Sequence, residues 1–309
     1  MMASNQALGL ITAPQCFLYD DPGEPSASRG IGPQTDEVFS GWAVRILETG
    51  PENWVRIQTH YGYEGWIRGD TFRPLTREEL SRRQNGCRFP LVTDAWTDLH
   101  AEPSVKGDLL LELPRGSIVE RLPVPDREGW VWLRAADGTE GWGQPDALRD
   151  RRDDDGFLLE GEGDRSWFLR HGEEKAKEAN EDEIRSAVVR SALSRMGTPY
   201  RWGGKSAAGI DCSGLAFMSW MENGFLIWRD ASILPDYPLK AIERSRLREG
   251  DLIFFPGHVA VYLGDGRYIH ATAYRKTPRV TINSLNPGDP EYRQDLADSI
   301  EACGSLFLS

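Results

Sequence analysis

The stretch GGKSAAGIDCSGLAF, residues 203–217, decides how the C-terminal half of this chain is read. Glycines and small residues lead to Asp211 and Cys212, and Ser213 and Gly214 follow before an apolar run begins. A flexible approach, a hydroxyl able to cap and then apolar residues predict a helix starting near Cys212 or Ser213. The first turn of such a helix has unpaired N–H groups and the positive end of a dipole, which favour a thiolate and can hold an oxyanion. Four roles are open to Cys212 at this point: a buried core thiol, a disulfide arm, a metal ligand or a nucleophile.

A nucleophilic thiol needs a base, and the chain has five histidines. His60, His100 and His171 lie in or near the N-terminal segments, whereas His258 and His270 bracket a predicted hairpin. Strands are predicted at DLIFF (251–255), HVAVYLG (258–264) and RYIHAT (267–272), with GDG (264–266) as the turn. Folding about Gly264 places His258 and His270 beside each other, so that one imidazole faces the thiol and the second orients the first. Two histidines on one hairpin also suit half of a metal site, but no further cysteine or carboxylate stands at a compatible spacing. Residue chemistry alone leaves a cysteine hydrolase and a buried structural thiol both open.

Further out, EEKAKEANEDEIRSAVVRSALSRMG (173–197) becomes amphipathic, with Ile184, Ala187, Val188, Ser191, Ala192 and Met196 near helical spacing and Gly197 as the stop. Nearer the N-terminus, the tryptophans expose an internal repeat. Trp54 and Trp66 are 12 apart, as are Trp130 and Trp142, and GEPS (23–26) matches AEPS (101–104). Short alternating strands around Val55, Ile57, Val131 and Leu133 predict two small β-barrels. TREELSRRQNG (76–86) reads as a helix or turn between them, and RDRRDDDG (149–156) as a solvated connection. The expected boundaries are 1–78 and 79–150 for the barrels, 151–180 for a linker, and 181–309 for an α+β domain.

Composition sets outer limits. The chain has 309 residues and a formal charge of −12, which argues against nucleic acid as its partner, since phosphate neutralisation needs a basic surface. No run of 18 apolar residues predicts a membrane span. The N-terminus carries no recognisable secretion signal, so a cytoplasmic protein is expected, or a cell-envelope protein if a signal has been removed. The four cysteines form no CxxC pair, and whether Cys16 and Cys87 bond is left open. No metal or organic cofactor is called for, and a monomer is expected.

The motifs GTPYRWGGKSAAGIDCSGL, LREGDLIFF and GHVAVYLGDGRYIHA resemble the NlpC/P60 family of papain-like cysteine peptidases, over roughly residues 185–309. The (D/Y)GxEGW pattern near the end of each repeat resembles bacterial SH3 (SH3b) domains. The resemblance implies two SH3-like β-barrels followed by an α+β papain-like catalytic domain. It implies Cys212 as nucleophile, His258 as general base and His270 as the orienting third residue. With WRDAS (228–232), it points to the γ-D-glutamyl-L-diamino acid endopeptidase branch, which cuts peptidoglycan stem peptides bearing a free N-terminal L-Ala. Trp228 stands where proline is commoner in that branch. By the same resemblance Asp211 binds the L-Ala amine, Ser213, Tyr200 and Ser232 line the pocket, and Glu37 and Tyr63 from the first barrel close the site. Plain roles compete: a helix-capping acid for Asp211 and barrel packing for Tyr63. The alternatives are a lytic endopeptidase acting on intact peptidoglycan and a wall-binding protein with an inert peptidase domain. A circularly permuted acyltransferase is disfavoured, because its histidines would precede the cysteine.

Overall fold

The structure is a computed structural model that describes residues 7–21, 34–160, 164–274, 276 and 278–308. The GEPS copy of the repeat lies outside these residues. The chain divides into two compact units, at Asp164 and Arg165.

In the N-terminal unit, β1 (Leu8–Ile11), β2 (Gln15–Tyr19), β3 (Gln34–Phe39), β4 (Ala43–Thr49), β5 (Trp54–Thr59), β6 (Glu64–Arg68) and β7 (Phe72–Leu75) form one sheet. Their order is β3-β2-β6-β5-β4-β1-β7. Helix α1 (Arg77–Arg82) follows, capped by Thr76 and Glu79 in a reciprocal capping box. A second sheet orders β10 (Leu109–Pro114), β9 (Trp96–His100), β13 (Glu140–Gly143), β12 (Val131–Arg134) and β11 (Glu120–Arg121), beside a separate ladder of β8 (Leu91–Val92) with β14 (Leu148–Arg149).

The repeat is carried by equivalent turns. Thr59 N–H donates to Tyr63 and Gly62 N–H to Thr59; 76 residues later Ala135 N–H donates to Thr139 and Gly138 N–H to Ala135. Gly62 and Gly138 have φ of 79° and 95°, which explains why glycine recurs there. Arg56 faces Trp66 as Trp132 faces Trp142. Each repeat has its own buried centre, the second formed by Val92, Leu99, Leu113, Val119, Val131 and Leu133.

The expected barrels are not closed by strand pairing. Both sheets are open, with edges at β3 and β7 and at β10 and β11. Proline lacks the ladder N–H, so Pro74 in β7 and Pro114 at the end of β10 suit edge positions.

The charge run at 149–156 differs from its expected solvated state. Arg151, Asp153 and Asp155 are buried, and Arg151 donates to Asp153 at 2.9 Å and to Asp155 at 2.8 and 2.9 Å. Opposite charges at every second residue point inward together and neutralise one another, while Asp150 and Arg152 face solvent. The stretch 151–180 therefore contains this ionic clasp together with α2 (Gly156–Leu159) and α3 (Ser166–Glu178).

In the C-terminal unit, α4 (Glu181–Leu193) starts at the Asn180 cap and α5 spans Cys212–Met221. The short β15 (Lys205–Ser206) and β16 (Gly209–Ile210) precede α5. Strands β17 (Lys240–Ile242), β18 (Leu252–Phe255), β19 (His258–Gly264), β20 (Arg267–Thr272), β21 (Arg279–Ser284) and β22 (Ala302–Ser305) form an antiparallel sheet, ordered β17-β22-β18-β19-β20-β21. Every residue of α5 is buried, so the helix is apolar on all sides and serves as the core of the unit. It packs on β19 and β20, with α4 on its flank. The sheet positions the histidines, and α5 positions the thiol.

Candidate active site

Gly203 and Gly204 turn the chain toward α5, and the turn has no room for side chains. A Cβ on Gly214 would lie 2.3 Å from the Gly204 carbonyl oxygen, and one on Gly204 would lie 2.4 Å from that of Gly209. The glycines quoted from the sequence are thus a steric requirement for starting the helix at Cys212. Asp211 is its cap: the carboxylate accepts the Gly214 N–H at 2.6 Å and the Gly203 N–H at 2.8 Å.

Cys212 is buried, and the backbone N–H of Val259, the residue after His258, favours its thiolate form. The thiol therefore lies against the start of β19. Burial, and next the charge of Asp211, push the thiol up to about 11, while the Val259 N–H and Arg229 oppose the rise.

The hairpin register differs slightly from the expected one. Val261 pairs with Ile269 and Tyr262 with Tyr268, and the ladder then shifts before Gly264 meets Arg267. Extending this register sets His270 opposite Ala260, one diagonal step from His258. The cause is the turn: Asp265 and Gly266 both take positive φ, 51° and 76°, and the bulge moves the centre of symmetry by one residue. Diagonal neighbours share a face, and the two rings meet with His258 Nε2 2.7 Å from His270 Nδ1.

The proton positions in this pair follow from a third residue. Asn283 on β21 donates from Nδ2 to the Glu291 carbonyl at 2.9 Å, so its Oδ1 is the atom 2.9 Å from His270 Nε2. An amide oxygen only accepts, so His270 carries its proton on Nε2 and presents a bare Nδ1. His258 then donates from Nε2 to that Nδ1, which leaves His258 Nδ1 as a free lone pair. Burial holds both imidazoles neutral. His258 is lowered to about 3 by burial and then by His270 and Arg293, and His270 to about 4 chiefly by burial.

Held in this way, the Cys212 thiol resists ionisation and the two imidazoles resist protonation, so all three rest neutral. With Cys212 as nucleophile, proton transfer would accompany attack rather than precede it. Alkylation of Cys212 by iodoacetamide, mapped by mass to its peptide, should keep rising as pH passes the ordinary thiol value of 9.0. A plateau reached below pH 6 would indicate a preformed thiolate–imidazolium pair.

Arg229, whose importance the sequence did not reveal, lies 1% exposed beneath the helix start. It donates to both Asp211 oxygens at 3.1 Å and to Ser213 Oγ at 2.7 Å. The charge of Asp211 is therefore balanced inside the protein by Arg229. Tyr200 is half-buried, and its hydroxyl is raised by burial and next by Cys212 and Asp211, which places it close to both. Ser213, Trp228, Asp230, Ser232 and Val259 line part of a narrow, mostly apolar crevice of about 10 Å³, completed by Ala216, Ile227, Leu239, Leu252 and Phe254. Arg165 and Tyr237 hold Trp228, with the guanidinium 4.7 Å from the indole centre and the two rings 5.4 Å apart.

Cys212, His258, His270, Asp211, Ser213, Tyr200 and Ser232 all belong to the C-terminal unit. Glu37 and Tyr63 belong to the N-terminal unit, where Glu37 is fully buried on β3 and Tyr63 closes the β5–β6 turn. All four cysteines are free, so Cys16 and Cys87 do not bond. No cluster of three metal-binding side chains occurs among the described residues.

The NlpC/P60 family profile matches residues 197–294, which carry Cys212, both histidines and Asn283. Dipeptidyl-peptidase 6 of Lysinibacillus sphaericus is 36% identical over 275 residues, spanning 88% of this chain and 92% of that protein. This chain belongs to the NlpC/P60 family. Gamma-D-glutamyl-L-lysine dipeptidyl-peptidase of Bacillus cereus is 27% identical to this NlpC/P60 peptidase, over 79% of this chain and 68% of that one. A crystal structure of an NlpC/P60 family protein from Bacillus cereus shares its fold over 96% of this chain and 98% of its own, with a TM-score of 0.68 at 20% identity. The chain is thus a multidomain cysteine peptidase, with a β-rich N-terminal region ahead of the NlpC/P60 domain.

Proposed function

We propose that this peptidase hydrolyses the bond between γ-D-Glu and a diamino acid in peptidoglycan stem peptides that carry a free N-terminal L-Ala, as a step in recycling them. The observation that carries the reading is the chain His258–His270–Asn283 on the sheet against which α5 packs, with Cys212 at the first position of that helix. A free ammonium would be anchored by a charge-assisted hydrogen bond to a carboxylate next to Cys212 while the γ-carbonyl reaches the sulfur. The name of the Bacillus cereus relative, a gamma-D-glutamyl-L-lysine dipeptidyl-peptidase, supports the same bond, and that of the Lysinibacillus relative supports release of a dipeptide. Asp211 is proposed as the ammonium receptor, sharing its carboxylate with Arg229. The two N-terminal repeats are proposed to be SH3-like modules with open ladders.

In the reaction, His258 Nδ1 takes the proton from Cys212 as the sulfur attacks the γ-carbonyl carbon. The oxyanion forms at the start of α5, where the Cys212 N–H is free of intrahelical bonding. His258 returns the proton to the departing amine and leaves an L-Ala-D-Glu thioester. Water, deprotonated by His258, then releases the dipeptide and restores the thiol.

The test is mass-resolved digestion of L-Ala-γ-D-Glu-meso-diaminopimelate and its N-acetylated twin. L-Ala-D-Glu should be released from the free-amine peptide at least about tenfold faster, the worth of one charge-assisted contact. Asp211→Asn, which keeps a side chain able to cap α5, should erase that preference mainly through KM. Equal cutting of both peptides by the wild type would point to an enzyme acting on intact wall.

A further inference from the structure

Five guanidinium groups surround one cavity in the N-terminal unit. Arg73, Arg82, Arg83, Arg88 and Arg134 line a space of about 210 Å³, with only Glu79 and Glu120 to offset them. This is a formal surplus of three positive charges, in a chain whose net charge is −12.

Pairing spends part of that surplus and leaves the rest on Arg82 and Arg83. Glu120 accepts from Arg88 at 2.6 and 3.1 Å and from Arg134 at 3.1 Å, and Glu140, just outside the lining, also accepts from Arg134 at 2.8 Å. Glu79 accepts from Arg73 at 3.2 Å and also closes the α1 capping box. The Arg82 side chain has no hydrogen bond or ion pair among the described residues. Arg83 is buried and donates to the Gly41 carbonyl, but its Nε is unpartnered. The carboxylate nearest that Nε, Asp155 at 4.0 Å, already accepts two bonds from Arg151. Burial, with further lowering by Arg151 and Arg73, brings Arg83 down to about 10, as expected for cations crowded without enough counter-charge.

The walls of the cavity are also fixed. A Cβ on Gly41 would lie 2.1 Å from the Ile118 carbonyl oxygen, so the two repeats meet backbone to backbone at this seam. Ile118 N–H donates to Ser40 at 2.9 Å, and Trp42 Nε1 donates to Gly116 at 2.7 Å across it. Leu10 and Leu75 on one side and Ile118 on the other make part of the lining apolar.

We propose that this cavity binds a small organic anion with two or more acidic oxygens and a short apolar body, either a phosphate ester or a dicarboxylate. Both present oxygens in the planar spacing that a guanidinium fork matches, and either would supply the counter-charge that the arginines lack. The site is independent of the peptidase chemistry.

Titration calorimetry on the full chain tests this, with inorganic phosphate and glutarate as probes and sodium chloride matching the ionic strength. One saturable site is expected for at least one probe, and the preferred probe identifies the ligand as phosphate or carboxylate. Arg82→Gln should weaken binding about tenfold, the size of one charge-assisted hydrogen bond. Glu120→Gln should tighten it, because removing that charge releases Arg88, whose carboxylate partner is Glu120. Cys212→Ala should leave it unchanged. The absence of saturable binding for both probes would overturn the proposal, and so would a dissociation constant that neither Arg82→Gln nor Glu120→Gln moves.

Discussion

Cys212→Ala is expected to lower kcat/KM for the γ-D-Glu peptide by at least about 10⁴-fold, the scale on which removal of a covalent nucleophile acts. The fold should survive. Cys212 occupies the first position of α5, and the cap that starts this helix belongs to Asp211, whose bonds to Gly203, Gly214 and Arg229 do not involve the sulfur. An unchanged thermal midpoint alongside the lost activity would separate a chemical role from a packing one. Cys212→Ser sharpens the test, because a hydroxyl of similar size keeps the contact with the Val259 N–H but is a far weaker nucleophile in this setting.

The second large effect concerns the chain of rings behind His258. His270→Ala should cost about 10²- to 10³-fold in kcat with little change in KM, since it removes the acceptor that holds the proton on His258 Nε2. Asn283 acts one step further back as a positioning residue, and Asn283→Leu should cost about tenfold, the lower range for outer-shell partners of a functional histidine. Asn283→Asp should recover much of that loss, because a carboxylate still accepts from His270 Nε2. It should also shift the acid limb of the pH–rate profile upward, because a nearby negative charge favours the imidazolium. A substitution that only disturbed packing would not move that limb. Kinetics across pH with the three variants check this.

The elements of the candidate site were legible in the sequence to the extent that they are local. Glycines around Cys212 announced a helix start because a side chain on Gly204 would strike the Gly209 carbonyl and one on Gly214 the Gly204 carbonyl. GDG announced the hairpin because Asp265 and Gly266 need positive φ. The one-residue displacement of the register was hidden, because a bulge depends on how neighbouring strands pair and leaves no mark of its own. Asn283 was missed for a related reason. It lies 13 residues beyond His270 and reaches it diagonally from Tyr268 across β21, a strand that the sequence reading did not identify. Arg229 stood inside a segment already quoted, but nothing in WRDAS says that its guanidinium turns inward to Asp211.

The N-terminal unit shows the same division. The repeat was readable from tryptophans and glycines because both copies build the same turn, and the turn chemistry is local. Whether the ladders close was not readable, since closure depends on which edges meet. The charge run at 149–156 misled because charged residues usually seek water. Its spacing was the available signal, since Arg151, Asp153 and Asp155 alternate on one side and can satisfy one another.

The central claim is that Cys212 attacks the γ-carbonyl of D-Glu, and intact-protein mass spectrometry tests it most directly. Wild-type enzyme turning over L-Ala-γ-D-Glu-meso-diaminopimelate is quenched in acid, and the protein is weighed and then digested. The account predicts a population heavier by one L-Ala-D-Glu acyl group, localised to the peptide carrying Cys212 and absent from Cys212→Ala. Rapid turnover with the acyl group on another residue, or with free L-alanine as the released product, would contradict it.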